Sequence, residues 1–163
     1  MAHVTMPRLM VFDRFGSYLR DLDQADVFEA THHAVINGED ALSISTTERL
    51  AKGPRIVWRD ERGLWHAHVV AGGDEAHDSG RAEVGTYYCE SSWSELRTAP
   101  LVIDKRPGLQ SPVNARAALE SALDGTRWGV GEVDVDTIAG TSWYHVSPWD
   151  AVKDVVEVWG GEL

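Results

Sequence analysis

The densest group of ionisable side chains lies in the segment 71–80, AGGDEAHDSG. Asp74, Glu75, His77 and Asp78 fall within five residues, and oxygen-rich loops bind calcium when their ligands alternate regularly along the chain. The regular alternation and the closing glutamate of an EF-hand loop are missing here. We therefore favour a solvated hairpin loop over a calcium site.

A histidine pair raises a second possibility of metal binding. His66 and His68 in WHAHVV are two residues apart, so on a strand both point to one face and could share an ion. The sequence shows no third ligand. Two polar residues on the solvent-exposed face of a sheet would give the same spacing without a metal. His32 and His33 would point to opposite faces and form no chelating pair. The sequence thus predicts neither a metal site nor a cofactor.

Acidic residues at a spacing of two follow in EVDVDT. On a strand, Glu132, Asp134 and Asp136 would lie on the same side, and paired acids hydrolyse glycosidic bonds when one has a raised pKa. With 26 acidic residues in the chain, we favour a solvated or channel-facing acidic edge. The serine-hydrolase elbow, HExxH, P-loop and GxGxxG motifs are all missing, so no catalytic residue is predicted.

The composition limits the classes of function. A formal charge of −11 argues against a surface that binds nucleic-acid phosphate, but it is compatible with a surface past which nucleic acid moves without being bound.

Cys89 is the only cysteine, which excludes an internal disulfide and a multi-cysteine zinc site, and we interpret it as a buried structural thiol. The sequence contains neither a membrane-length apolar run nor a signal peptide, so synthesis in the cytoplasm is predicted.

These residues must be positioned mainly by strands, because short apolar-polar alternations separated by turn residues fill the first hundred positions. The segment 81–91 is predicted to be a strand, and Asn37-Gly38 favours a tight turn. Three hairpins are predicted, which pair 8–13 with 17–22, 27–36 with 41–47, and 54–60 with 63–70.

Two amphipathic helices with the same Ser-Pro opening are predicted after residue 110. Ser111 and Ser147 can each cap a helix start, where the following proline has a suitable φ. Asp150 completes a capping-box-like arrangement in the second helix, and Gly160 stands where that helix should end. The other short elements predicted are a helix over 91–99 and strands over 100–104, 127–131 and 141–146.

A series of motifs gives the chain a family resemblance. YYCESSWSEL, PLVID, ARAALESAL, GTRWGVGEV and SPWDAVKDVVEVWGGEL resemble the N-terminal region of phage tail-associated proteins. These are the baseplate hub proteins, also named minor tail or prophage tail endopeptidase-type proteins. LMVFDRFGSYLRDL, INGEDALSIST and RIVWRDERGLWHAHVV resemble the three hairpins of the same region, so the resemblance covers nearly the whole chain.

The resemblance implies an α+β, mainly β fold: a tube-type β-barrel hub domain with short strands and two amphipathic helices. Residues 1–104 would form the first tube-type domain, and residues 105–163 a helix-strand-helix segment that begins a second, incomplete hub domain. The chain then looks like the front piece of a longer hub or an unusually short version of one. The family's endopeptidase residues would lie downstream, so no enzymatic activity is expected.

The resemblance also implies partners and a location. The chain would form a homotrimer that closes the tail tube at the tail tip or baseplate of a virion. It would contact the distal tail protein, the tape measure protein and other tail-tip proteins. DNA would pass through the channel during ejection without specific binding, and no membrane segment is expected.

Two other functions remain open. A cell-wall (peptidoglycan) hydrolase would require convergent carboxylates or three metal ligands in a cleft. A carbohydrate-binding module of the tail tip would require several tryptophans on one open face. The seven tryptophans of the chain are Trp58, Trp65, Trp93, Trp128, Trp143, Trp149 and Trp159.

Overall fold

The computed structural model describes residues 7–35, 39–75 and 84–162 of the chain. The chain divides into two compact units, Met1–Ser92 and Trp93–Leu163. Each unit has its own cluster of buried apolar side chains. The segment 93–104, which the sequence analysis placed in the first domain, lies in the second unit.

Seven antiparallel strands form one sheet in the first unit, in the order β2-β1-β5-β6-β7-β4-β3. The strands are β1 Met10–Phe12, β2 Tyr18–Asp21, β3 Val27–Ala34, β4 Asp40–Thr46, β5 Arg55–Arg59, β6 Trp65–Glu75 and β7 Gly85–Ser91. The three predicted hairpins are confirmed as the pairs β1–β2, β3–β4 and β5–β6. The turn at Asn37-Gly38 lies outside the described residues.

The sheet curls strongly, and one ring contact shows by how much. His32 of β3 lies with its ring centroid 4.9 Å from that of Trp58 in β5, although β4, β7 and β6 lie between those strands in the sheet. At about 4.8 Å per strand, a flat sheet would separate β3 from β5 by roughly 19 Å. The sheet therefore bends into a half-barrel whose concave side brings β3 towards β5 and β6.

The concave side carries the hydrophobic core of the first unit. In β4 the inward residues Leu42, Ile44 and Thr46 are buried at a spacing of two, as the alternation predicts. Tyr87 of β7 lies against the backbone of β6, where a Cβ on Gly73 would come within 2.4 Å of its ring. Glycine at position 73 thus leaves room for a buried aromatic ring.

The second unit contains two α-helices and little strand. A 3-10 helix, Ser92–Arg97, spans the boundary between the units, where the sequence predicts a short helix. Two short strands, β8 Val113–Asn114 and β9 Ile138–Ala139, pair with each other. The helices are α1 Ala115–Leu123 and α2 Pro148–Trp159. No helix in the described part of the chain is long and apolar enough to cross a membrane.

The start of α2 is as predicted, and the start of α1 is not. Ser147 caps α2 by accepting a hydrogen bond from the Asp150 N–H, and its hydroxyl donates to the Asp150 carboxylate at 2.7 Å. Helix α1 begins four residues after Ser111, and Asn114 caps it by accepting from the Ala117 N–H. Ser111 is not the cap because Val113 and Asn114 are extended and pair with β9.

The predicted strands over 100–104, 127–131 and 141–146 do not form. Only isolated bridges, Val102 with Val146 and Lys105 with Trp143, connect the first and last of them. Asp104 has φ 47° and His145 has φ 56°, a left-handed conformation that interrupts an extended strand. These backbone reversals override the strand preference of the valines and isoleucine nearby.

Candidate functional site

Polar side chains gather at one end of the concave face of the first unit, where β4 begins and β7 ends. His32 comes from β3, Asp40 from β4, Trp58 from β5, and His66 and His68 from β6. We call these five residues the histidine cluster. Each lies at an inward position of its strand, and the curl of the sheet brings the four strands together.

Asp40 is the centre of the histidine cluster. Its Oδ1 lies 2.7 Å from Nε2 of His32 and 2.9 Å from Nε2 of His68. The indole N–H of Trp58 points to Nδ1 of His68 at 3.4 Å. An indole nitrogen only donates, so Nδ1 of His68 accepts and its Nε2 carries the hydrogen that is donated to Asp40.

Burial and hydrogen bonding set the charges in the histidine cluster. Burial alone would raise the pKa of Asp40, but hydrogen bonds from Ser91, His32 and His68 outweigh it and lower that pKa to about 2. His68 is fully buried, and desolvation lowers its pKa despite the nearby carboxylate. At neutral pH the cluster therefore holds an ionised Asp40 and a neutral His68.

His66 shares a face with His68, as their spacing predicts, but it has a different polar partner. Its ring stacks on Trp58 with centroids 4.4 Å apart, and its Nε2 lies 3.2 Å from Oδ2 of Asp60 in the β5–β6 turn. Trp65 points to the opposite side and is 62% exposed, so it does not pair with Trp58. His33, on the outward face of β3, is likewise exposed, whereas His32 points inward.

Sequence reasoning missed the two residues that complete the cluster, His32 and Asp40. One local signal was available for Asp40: it precedes Leu42 and Ile44 at a spacing of two, which places a carboxylate on the buried face of a strand. No local signal placed β3 beside β6, because that approach depends on the curl of the whole sheet.

The other clusters singled out in the sequence do not converge in the described structure. Asp74 is exposed near the end of β6, while His77 and Asp78 lie outside the described residues. Glu132, Asp134 and Asp136 are all exposed along an extended segment that is not a strand. The valines between them, Val133 and Val135, pack on the core of the second unit instead.

Cys89 lies in the core of the first unit, as predicted. Burial raises the pKa of its thiol to about 12, so the thiolate is scarcely populated at neutral pH. This environment is that of a structural cysteine rather than a nucleophile.

The second unit has an apolar groove of about 340 Å³. Trp93 stacks on Trp149 beside it, with ring centroids 4.0 Å apart. Buried Ala115, Ala118 and Ala122 line the inner face of α1. The side chains that line the groove include Leu119, Leu123, Trp128, Val133, Val152 and Val156.

Comparison with known proteins finds a family match in the second unit and a fold similarity over most of the chain. Residues 101–163 match the family described as the prophage endopeptidase tail domain. The fold is similar to that of prophage tail protein gp18 from Listeria monocytogenes EGD-e, with a TM-score of 0.65 and 8% identity over 94% of this chain and 46% of that one. No curated protein matches the chain.

A second solved structure, the tail protein from Neisseria meningitidis MC58, aligns over 94% of this chain and 45% of its own, with 9% identity and a TM-score of 0.44. The chain thus spans less than half the length of the solved tail proteins that it matches. The resemblance found in the sequence is confirmed: the chain is similar to prophage tail proteins, and its residues 101–163 match the prophage endopeptidase tail domain.

Proposed function

We propose that the chain is a structural protein of a phage tail, placed at the tail tip or baseplate as a hub. It would close the tail tube, join the distal tail protein to the tip, and line the channel through which DNA is ejected. The observation that carries this proposal is the similarity of its fold, over 94% of the chain, to a prophage tail protein. The match of residues 101–163 to a tail domain supports it independently.

The net charge supports a position along the DNA path. At −11, the chain repels phosphate, so a genome would slide past its surface without being held. Glu132, Asp134 and Asp136 are exposed and contribute to this negative surface.

The two ends of the sheet support assembly with other subunits. In the described sheet β2 and β3 each pair on one side only, which leaves backbone groups available to a neighbouring chain. Large apolar side chains are exposed on these edge strands: Leu19 on β2 and Phe28 on β3. We propose a homotrimer in which neighbouring subunits cover these edges, with the first unit as a tube-type domain and the second as the start of another.

The two alternative functions have less support. The described carboxylates at 132, 134 and 136 are exposed and do not converge as a hydrolase would require. His32, Asp40 and His68 do bring three ligating atoms together, but His68 is fully buried, which suits a structural site better than one that must admit a polysaccharide. The word endopeptidase in the family description establishes no catalysis in this chain. Among the tryptophans, which all lie in the described residues, Trp65 is the single fully exposed one. Trp93, Trp128 and Trp149 line the apolar groove of the second unit, where they pack on its core rather than on one open face.

Light scattering on a sizing column tests the proposal, with the chain alone and mixed with its candidate distal tail protein. We expect a trimer, or three copies bound to a hexameric ring of that partner. Phe28→Asp should reduce assembly by placing a charge at the edge. Leu64→Asp, an equally apolar and exposed position away from the sheet edges, should leave it unchanged. A chain that stays monomeric and does not bind the distal tail protein would refute the hub proposal.

A further inference from the structure

Three metal-ligating atoms converge within the histidine cluster. Nε2 of His32, a carboxylate oxygen of Asp40 and Nε2 of His68 all lie within 4.8 Å of one another, the one such group of three in the described part of the chain. His32 and Asp40 come from the consecutive strands β3 and β4, and His68 comes from β6, 28 residues after Asp40. We propose that His32, Asp40 and His68 bind a divalent transition-metal ion of the zinc class.

The donor atoms are hydrogen-bonded to one another and would have to separate slightly to admit an ion. Zinc binds imidazole nitrogen and carboxylate oxygen at about 2.0–2.2 Å, so neighbouring ligands of a tetrahedral site lie roughly 3.3 Å apart. The observed nitrogen-oxygen distances from Asp40 are 2.7 Å to His32 and 2.9 Å to His68. An ion therefore enters if each histidine moves away from the carboxylate by about 0.5 Å.

The donor atoms also have a suitable type and state. Two imidazoles and one carboxylate leave a fourth position open on a zinc-class ion for water or another ligand. Asp40 is ionised and buried His68 is neutral at pH 7, as a metal requires of its ligands.

The contact between Trp58 and His68 opposes metal binding. When Nε2 of His68 takes the ion, its hydrogen moves to Nδ1, which faces the indole N–H of Trp58 at 3.4 Å. Two donors then face each other, so the indole must turn away. Trp58→Phe keeps an aromatic ring beside His66 and removes the opposing N–H. This substitution should therefore strengthen metal binding.

The consequence of binding would be structural. The ion would tie edge strand β3 to β6, across the open side of the curled sheet. A ligand that binds the folded chain alone raises its thermal stability in proportion to the logarithm of ligand concentration. This inference does not depend on the tail role, since it concerns the curl of the first unit.

The test is a titration of the full chain with Co²⁺ and Zn²⁺, after treatment with EDTA and its removal. We expect one equivalent of Co²⁺ to give the visible absorption of a tetrahedral site, with displacement by Zn²⁺ and a rise in melting temperature. Asp40→Asn and His32→Gln should each weaken binding by about 100-fold or more, because each removes a direct ligand.

The control is His33→Gln, which changes the exposed histidine next to His32 and should leave the affinity unchanged. Near-ultraviolet circular dichroism in EDTA checks the folding of each variant. If Asp40→Asn fails to fold, the titrations of the wild-type chain and of His32→Gln still decide the matter. Absence of one-to-one binding by the wild type, or binding that survives both ligand substitutions, would overturn the inference.

Discussion

At the scale of single residues, Asp40 has the central electrostatic role in the histidine cluster. Two imidazoles and Ser91 hydrogen-bond to its carboxylate, and the pKa of about 2 means that the fold prefers the ionised form. The unfolded chain, with a pKa near 3.8 for this group, binds the proton more readily. The stabilisation is therefore complete above about pH 5 and is lost progressively as the pH falls through about 2.

Asp40→Asn tests this electrostatic role in the presence of EDTA. We expect the substitution to lower the free energy of unfolding by about 1–2 kcal/mol at pH 6. The difference from the wild type should fall to about half by pH 3, because Asp40 is then partly protonated in the unfolded chain. Denaturant titrations at both pH values measure it.

Glu39→Gln provides the control, since it removes the same charge from the exposed neighbour and should have little effect at either pH. A stability difference for Asp40→Asn that is equal at pH 6 and pH 3 would show that the carboxylate charge is not the cause.

The sequence predicted only part of the histidine cluster. The shared face of His66 and His68 follows from a spacing of two, which is a local property of any strand. The approach of His32 to His68, with ring centroids 5.3 Å apart, arises because the sheet curls through β4 and β7. Curvature of a seven-stranded sheet is a non-local property, and no pattern in the sequence encodes it directly.

At the scale of elements, the sequence predicted correctly the elements that depend on interactions between residues close together in the chain. The three hairpins and α2 followed from alternation, turn residues and a capping box. The strands predicted over 100–104 and 141–146 failed because Asp104 and His145 have positive φ. Asp and His adopt this conformation more often than most residues, but it remains uncommon even for them, so the strand pattern outweighed that weak signal. The predicted cap at Ser111 failed because pairing with β9 delays the start of α1.

The two Ser-Pro segments provide a matched comparison of helix caps. Ser147→Ala and Asn114→Ala should each lower the free energy of unfolding by about 1 kcal/mol, because each removes the side chain that accepts from a helix N–H. Ser111→Ala should have almost no effect, since Ser111 is exposed and caps no helix. Denaturant unfolding followed by helical circular dichroism measures all three.

An effect of Ser111→Ala as large as that of Ser147→Ala would contradict this assignment of the caps. Equal and negligible effects of all three substitutions would show that packing alone holds the helix starts.

At the scale of the whole molecule, fold similarity and net charge support the same proposal. The chain shares its fold with a prophage tail protein at 8% identity, so two chains that differ at most positions form the same fold. The charge of −11 is compatible with a place beside moving DNA.

The most direct measurement of the central claim is the position of the chain in intact particles. Gold-coupled antibodies against the chain would be applied to purified particles of the phage whose genome encodes it. Electron microscopy would then locate the gold on each particle. We predict gold at the tail tip, with no labelling of the head or along the tail shaft. Labelling along the shaft, or absence of the chain from intact particles, would contradict the proposed role as a tail-tip hub.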